Sequence, residues 1–298
     1  MSLTTTMMLG FIAGVTILLG LPIGRLRRPA PSLRALLNAT AIGILLFLVW
    51  DVFSAAWAPI DEALALFHEG KGGLGTAAGY GALFAAGLSV GLLSLMYYES
   101  WMARAFARAP GAETLERPHG PGAAAIDELK RGRPSRIATW SPARRLSLLI
   151  AVGIGLHNFA EGLAIGQSAA SGEIALALLL VIGFGLHNAT EGFGIVAPLA
   201  GDVDLEGNMR RPSWGFLLAM GAIGGGPTFV GTIIGHGFIN EAVSVVFLTL
   251  AAGSIIYVVT QLITVAAKAR RPDLLAYGLL LGLGAGFLTD AIVTAAGV

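Results

Sequence analysis

Eight apolar stretches of about twenty residues or more divide the chain, and they constrain its fold more than any other feature. A helix of roughly 20 apolar residues is long enough to cross the hydrocarbon core of a bilayer. The stretches lie at about 4–23, 35–57, 74–98, 146–169, 173–200, 213–238, 241–266 and 274–297. We therefore expect an all-α integral membrane protein with eight transmembrane helices, numbered 1 to 8 along the chain.

The composition fits a protein that has lipid as its solvent. Of the 298 residues, 55% are hydrophobic and only 12% are charged, whereas soluble domains carry about 25% charged residues. The chain has no cysteine, which excludes disulfides and thiolate metal sites. It also lacks a GxxxxGK[ST] phosphate-binding loop, so no built-in ATP motor is expected.

The basic residues predict the orientation in the membrane. Of the 19 Lys and Arg residues, 18 lie in alternate loops or at their edges, and only Lys71 falls elsewhere. Basic loops face the cytoplasm under the positive-inside rule. We therefore expect a multi-pass protein of the cell (plasma or inner) membrane with both termini outside.

One long connection interrupts what we interpret as a single transmembrane transporter domain spanning residues 1–298. Residues 99–143 are rich in Pro, Gly, Ala and basic side chains and contain little that could form a core. We expect a largely disordered cytoplasmic loop there. Its one histidine, His119, is interpreted as a solvated loop residue in preference to a metal-collecting one.

Weak internal repeats suggest how the helices are arranged. Three pairs of segments match in sequence. In helices 2 and 7, residues Gly43 to Asp51 match Gly253 to Gln261, and the glycines of helix 1 match those of helix 6 at an offset of 211 residues. In helices 3 and 8, Tyr80, Gly81 and Gly87 match Tyr277, Gly278 and Gly284. Repeats separated by five helices cross the membrane in opposite senses. We expect a 3+2+3 arrangement in which helices 1–3 and 6–8 form an inverted repeat around helices 4 and 5. Common glycine-rich helix packing is the alternative explanation.

Two copies of an HNxxEG motif, 30 residues apart, carry the chemistry. Residues three and four positions apart share one face of a helix. Counted from the turn between helices 4 and 5, both motifs fall near the middle of the bilayer. The motif side chains are His157, Asn158 and Glu161 in helix 4, and His187, Asn188 and Glu191 in helix 5. Two antiparallel neighbours therefore present imidazoles, carboxylates and amide oxygens to each other.

Such side chains need compensation at this depth, because each charged residue costs about 2.5–3.5 kcal/mol to insert. A divalent cation with N and O ligands neutralises carboxylates and accepts neutral imidazole. From the residues alone, interhelical polar bonding and a His–Glu proton relay are the other interpretations. Repetition of the motif at matched depth favours a shared set of metal ligands.

Other polar residues within or beside the spans are candidates for a transport pathway. Asp51 lies in helix 2, its repeat partner Gln261 in helix 7, and Asp290 in helix 8, while His236 lies by the turn between helices 6 and 7. Pro227, after three glycines, is expected to break or bend helix 6.

The sequence resembles the ZIP (ZRT/IRT-like) metal-transporter family. The resemblance rests on HNFAEG and HNATEG in helices 4 and 5, on eight spans with both ends outside, and on the long loop between helices 3 and 4. It implies the 3+2+3 arrangement, movement of divalent metal toward the cytoplasm, a site between helices 4 and 5 made by the six motif residues, and a homodimer.

Several positions depart from the common family pattern. The motifs contain Ala160 and Thr190 where proline is usual, Gly226 replaces a carboxylate before Pro227, and helix 7 has Gln261 where an acidic or histidine residue is usual. We expect one principal metal site built around two histidines, not a two-metal centre.

The functional prediction is a divalent-metal transporter and not an enzyme. The metal is substrate and not cofactor: zinc, iron(II), manganese, cobalt, nickel and cadmium all suit N and O ligands. The expected partners are this ion and the lipid bilayer, with no nucleic acid. The alternatives are a membrane-embedded metal-dependent hydrolase, although no HExxH pattern is present, and a metal sensor that binds without conducting.

Overall fold

The computed structural model describes residues 1–25, 31–107, 140–196, 198–199, 210–268 and 270–295. Within these ranges every regular element is helical, and eight helices are long and apolar enough to cross a membrane. The expected all-α architecture with eight spans is confirmed. We number the helices α1 to α8, with bounds Leu3–Arg25, Pro31–His68, Leu74–Ala107, Pro142–Ser171, Ile174–Val196, Trp214–Gly235, Glu241–Lys268 and Pro272–Ala295.

Two helices are longer than their apolar stretches. α2 continues to His68 because Ile60 and Ala63 remain buried while the charged residues between them face outward. α3 continues to Ala107 and so includes the first residues of the predicted loop 99–143. Residues 108–139 of that loop, including His119, lie outside the described residues, so its disorder stays a prediction.

A tight turn makes α4 and α5 antiparallel neighbours. The side chain of Ser141 accepts a hydrogen bond from the backbone N–H of Arg144 at the start of α4. Gly172 ends α4 with φ of 88°, a left-handed conformation that favours glycine, and its N–H donates to the carbonyl of Ser168. Because α5 begins at Ile174, the two motif helices are held side by side.

The packing divides the bundle into two groups of helices. α1, α4, α5 and α6 pack with one another, and α2, α3, α7 and α8 form the second group. The groups meet mainly where α4 contacts α7 and where α2 contacts α5. Within its apolar span α4 is 72% buried, against 17% for α3, so the helix with the first motif lies at the centre.

Glycines mediate the closest approaches in the first group. Gly14 of α1 and Gly225 of α6 face each other, and the carbonyl of each occupies the space that a Cβ on the other would need. Two more glycine pairs lie at close approaches, Gly20 with Gly192 between α1 and α5 and Gly231 with Gly162 between α6 and α4, where carbonyls of nearby residues occupy the Cβ space. Gly231 follows Gly20 by 211 residues, the offset between helices 1 and 6 in the sequence, and Gly192 follows Gly162 by 30 residues, the offset between the two HNxxEG motifs. The two glycine pairs therefore occupy matching positions.

The second group shows the same matched packing. Gly43 of α2 lies against Gly282 of α8, and Gly253 of α7 lies against Gly91 of α3. Gly43 and Gly253 are 210 residues apart, as the sequence comparison predicts. These contacts are what an inverted repeat would produce. The 3+2+3 arrangement itself stays a prediction.

The register that the sequence suggested for helices 3 and 8 is wrong by six residues. It paired Gly87 with Gly284, but Gly87 packs on Thr249 whereas Gly284 has no neighbour within 4 Å of a Cβ position. Gly278 packs on Ala39 of α2, and Ala39 precedes Thr249 of α7 by 210 residues, the offset that relates these two helices. Because Gly87 packs on Thr249, its counterpart in α8 is Gly278. Because small residues recur every few positions in membrane helices, glycine matches alone could not set the register.

Two irregularities lie at matched positions of α1 and α6. Helix α1 is interrupted at Thr16, whose hydroxyl donates to the carbonyl of Ala13 at 2.7 Å. Position 16 corresponds to Pro227 in α6 at the offset of 211. Pro227 was expected to break or bend α6; the helix continues unbroken to Gly235, and the bend stays a prediction. Proline nevertheless removes one N–H from the hydrogen-bond ladder there.

Candidate metal site

The first motif lies on the buried face of α4. His157, Asn158 and Glu161 are each 0% exposed. The four-residue spacing between histidine and glutamate places both side chains on one face of the helix. The Nε2 atom of His157 therefore lies 3.0 Å from Oε1 of Glu161.

The second motif meets the first from α5. His187 and Asn188 are fully buried, and Glu191 is 8% exposed. Nε2 of His187 lies 3.3 Å from Oε1 of Glu161, so this one carboxylate oxygen stands between the two imidazoles. The structure thus brings the two histidines and the two glutamates together between α4 and α5.

The distances within the cluster suit a shared cation. Donor atoms of His157, Glu161 and His187 all lie within 4.8 Å of one another. Oε1 of Glu191 is 3.7 Å from Nε2 of His157 and 3.9 Å from Nε2 of His187. Ligands that bind one zinc ion at about 2.0–2.2 Å lie about 3–4 Å apart. Glu191 therefore stands at the distance of a fourth ligand.

The two asparagines are oriented by main-chain carbonyls of neighbouring helices. Nδ2 of Asn158 donates to the carbonyl of Gly224 in α6 at 2.9 Å, and Nδ2 of Asn188 donates to the carbonyl of Ala13 in α1 at 3.0 Å. Gly224 follows Ala13 by 211 residues, so the two motifs have equivalent surroundings. Because each amide nitrogen is engaged, each amide oxygen is left as an acceptor.

Eight atoms of the two motifs are buried without a hydrogen-bond partner. They are Nε2 of both histidines, Oδ1 of both asparagines and all four carboxylate oxygens of Glu161 and Glu191. Each of these atoms can donate an electron pair to a metal ion. A buried polar atom left unpaired costs about 1–3 kcal/mol, and more if it is charged. A bound cation would satisfy donor atoms of this kind.

A comparison with protein families decides what kind of protein carries this cluster. The family model described as ZIP zinc transporter matches residues 108–289, which is more than half of the chain. The chain belongs to the ZIP zinc transporter family. A search of curated proteins finds no match for it. Members of the ZIP family are transporters and not enzymes, so divalent-metal transport is its function at the level of the family.

The predicted pathway residues of this ZIP protein lie outside the two motif helices. Oδ2 of Asp51 in α2 is buried without a hydrogen-bond partner, and Asp290 lies in α8. His236 caps α6, and its Nδ1 atom is buried and unpartnered. Gln261 is half-buried in α7. A pathway role for these four residues stays a prediction.

The structure adds one residue that the sequence analysis did not single out. Oγ of Ser254 in α7 lies 2.9 Å from Nδ1 of His157. No motif marks Ser254, because its role depends on the packing of α7 against α4. The equivalent atom of His187 instead faces the carbonyl of Gly183 in its own helix, at 3.4 Å.

Proposed function

We propose that this ZIP protein moves a divalent transition-metal ion toward the cytoplasm through the site between α4 and α5. The observation that supports the proposal is the set of eight buried, unpartnered donor atoms in the two HNxxEG motifs. Polar bonding between helices accounts for these atoms less well, because none of them makes a hydrogen bond with the geometry that such bonding requires. A transported cation gives the imidazole nitrogens and the two carboxylates a partner.

The donor types favour a borderline metal ion. His157 and His187 offer imidazole nitrogen, and Glu161 and Glu191 offer carboxylate oxygen. Two imidazoles and carboxylate suit zinc, iron(II), cobalt and nickel better than magnesium or calcium, which prefer oxygen ligands alone. We propose zinc, held by both histidines and by Glu161 with Glu191 as the fourth ligand, as the reference ion, and manganese and cadmium belong in the same panel.

Charge balance explains how such a site is tolerated within a bilayer. Glu161 and Glu191 together carry two negative charges when both are ionised, and neither has a Lys or Arg partner in the described part of the chain. A divalent ion cancels both charges. The loaded site is therefore nearly neutral, which lowers the cost of holding carboxylates away from water.

The experiment is metal uptake into proteoliposomes that contain the purified protein, across zinc, iron(II), manganese, cobalt, nickel and cadmium. The site variant is Glu161→Ala/Glu191→Ala. The matched control is Glu173→Ala, which removes an exposed carboxylate in the turn between α4 and α5. Saturable uptake that is lost in the site variant and kept in the control supports the proposal.

Two results would contradict it. Metal binding without uptake for every ion would make the protein a non-conducting metal binder. Unchanged uptake in the Glu161→Ala/Glu191→Ala variant would place the transport site elsewhere in the bundle. The folding of each variant is checked by size-exclusion chromatography in detergent before reconstitution.

A further inference from the structure

A buried serine of α7 contacts the site from outside the two motif helices. Ser254 is 3% exposed. Its Oγ lies 2.9 Å from Nδ1 of His157 and 2.7 Å from the carbonyl oxygen of Ala251 in its own helix. Both distances are ordinary for hydrogen bonds. The Ser254 hydroxyl therefore makes two hydrogen bonds. The nature of its two partners determines in which bond the hydroxyl donates and in which it accepts.

Proton accounting assigns the tautomer of His157. A serine hydroxyl has one proton, and a backbone carbonyl can only accept. The proton of Ser254 is thus used in the bond to Ala251. The bond between Ser254 and His157 must then use a proton on Nδ1 of the imidazole, and in the neutral ring this leaves the Nε2 lone pair facing the site.

The position of Nε2 agrees with this assignment. Nε2 lies 3.0 Å from Oε1 of Glu161 and 3.7 Å from Oε1 of Glu191, and neither pair meets hydrogen-bond geometry. A lone pair and a carboxylate oxygen facing each other are stable when a cation lies between them. Metal-bound histidines commonly donate their other ring N–H to a partner that fixes the ring in this way.

The second histidine has no comparable support. Nδ1 of His187 faces the carbonyl of Gly183 at 3.4 Å, beyond the usual range for a strong hydrogen bond. At the offset of 210 that relates α2 to α7, the residue equivalent to Ser254 is Ile44, which is apolar and 5% exposed. The two halves of the site therefore differ in how firmly they hold their imidazoles.

We propose that Ser254 is a positioning residue that fixes His157 as the Nδ1–H tautomer with Nε2 available to the metal ion. The inference rests on the proposed function of the α4–α5 site. It makes His157 the better oriented of the two imidazole ligands. The same hydrogen bond connects the metal site to α7, and so to the second group of helices (α2, α3, α7 and α8).

The test is the zinc affinity of Ser254→Ala, measured in detergent by competition with a chromophoric chelator. Outer-shell partners of metal-bound histidines are worth about 10–100-fold in affinity, so we expect zinc binding to weaken by about that factor. Ser254→Thr keeps the hydroxyl and should restore binding to within about threefold. Ser94→Ala is the matched control, because the Ser94 hydroxyl bonds the carbonyl of Gly91 and contacts no histidine.

A second readout separates positioning from a general structural effect. Protein labelled with ¹⁵N-histidine should show, without metal, His157 as the Nδ1–H tautomer, and Ser254→Ala should show a mixture or the other tautomer. His157→Gln assigns the signal. Zinc affinity of Ser254→Ala equal to that of the wild type, or an Nε2–H tautomer for wild-type His157, would overturn the proposal.

The two proposals fail in different ways. Wild-type zinc binding that weakens in Ser254→Ala, without uptake in proteoliposomes, would reject transport through the site and retain the role of Ser254. Uptake with full zinc affinity in Ser254→Ala would retain transport and reject the positioning role.

Discussion

Glu161 occupies a different place in the cluster from Glu191, although the motifs are the same. Its Oε1 atom lies 3.0 and 3.3 Å from the two imidazole Nε2 atoms, whereas that of Glu191 lies 3.7 and 3.9 Å away. The carboxylate between both histidines can share an ion with each of them. Motif repetition in the sequence gives no reason to rank the two glutamates, so the ranking comes from the structure.

We predict that Glu161→Gln weakens zinc binding more than Glu191→Gln does. Loss of a ligand should exceed the roughly 10–100-fold effect of losing an outer-shell partner. We expect more than about 100-fold for Glu161→Gln and about 10-fold for Glu191→Gln, measured by chelator competition. Equal effects would show that the ion sits symmetrically between the two carboxylates.

A second prediction concerns the amide of Asn188. The variant Asn188→Asp keeps an oxygen but cannot donate to the carbonyl of Ala13, which the amide nitrogen contacts at 3.0 Å. A carboxylate facing that carbonyl is repelled, so the oxygen loses its orientation. We expect zinc affinity to fall by about 10-fold. Asn240→Asp, in the exposed turn before α7, is the control, and equal behaviour of the two variants would contradict the prediction.

At the scale of elements, glycine contacts place the motifs against their neighbours. Gly162 follows Glu161 directly, and a Cβ there would lie 2.9 Å from the carbonyl carbon of Thr228 in α6. Backbone atoms at that distance cannot make room without moving the helix. The approach of α4 to α6 and the position of the Glu161 carboxylate are therefore coupled.

We predict that Gly162→Ala destabilises the protein and weakens metal binding together. Overpacking of this kind costs about 1–3 kcal/mol, measurable as a shift in unfolding by SDS in mixed micelles. Gly194→Ala is the matched control, because a Cβ on Gly194 in α5 has no neighbour within 4 Å. A Gly162→Ala protein as stable as Gly194→Ala would mean that α4 and α6 are not in close contact.

The sequence predicted the number and order of the helices because apolar length is a local property. The ends of α2 and α3 were missed because a helix can continue beyond the bilayer while burying residues such as Ile60. The alignment of α3 with α8 in the repeat was wrong because matching positions are defined by the residues that each helix packs on, and these lie in other helices. Ser254 was missed for the same reason, since its contact is with a histidine 97 positions away.

At the scale of the whole molecule, metal binding should contribute to folding stability. The eight unpaired donor atoms lie on α4 and α5 at the centre of the bundle, and the unfolded chain does not hold them together. An ion at about 100 times its Kd stabilises the folded state by about 2.7 kcal/mol. We predict a zinc-dependent rise in resistance to SDS unfolding that Glu161→Ala/Glu191→Ala abolishes, and a rise that persists in this variant would contradict it.

The orientation of the molecule can be tested because the chain has no cysteine. Gly73→Cys places a thiol in the exposed turn between α2 and α3, and Arg211→Cys places one before α6. The distribution of basic residues predicts that the first turn faces outward and the second faces the cytoplasm. A membrane-impermeant maleimide should label Gly73→Cys in intact cells and Arg211→Cys only after permeabilisation. The reverse pattern would invert the topology.

The carbonyls that hold the two asparagines have a consequence for how such a protein can change over evolutionary time. Ala13 and Gly224 contribute main-chain oxygens, and every amino acid brings the same oxygen. Replacement at either position is therefore limited by space and not by chemistry. Selection can alter the motif side chains, and with them the preferred metal. The main-chain carbonyls that orient the two asparagines stay in place as long as the backbone keeps its course.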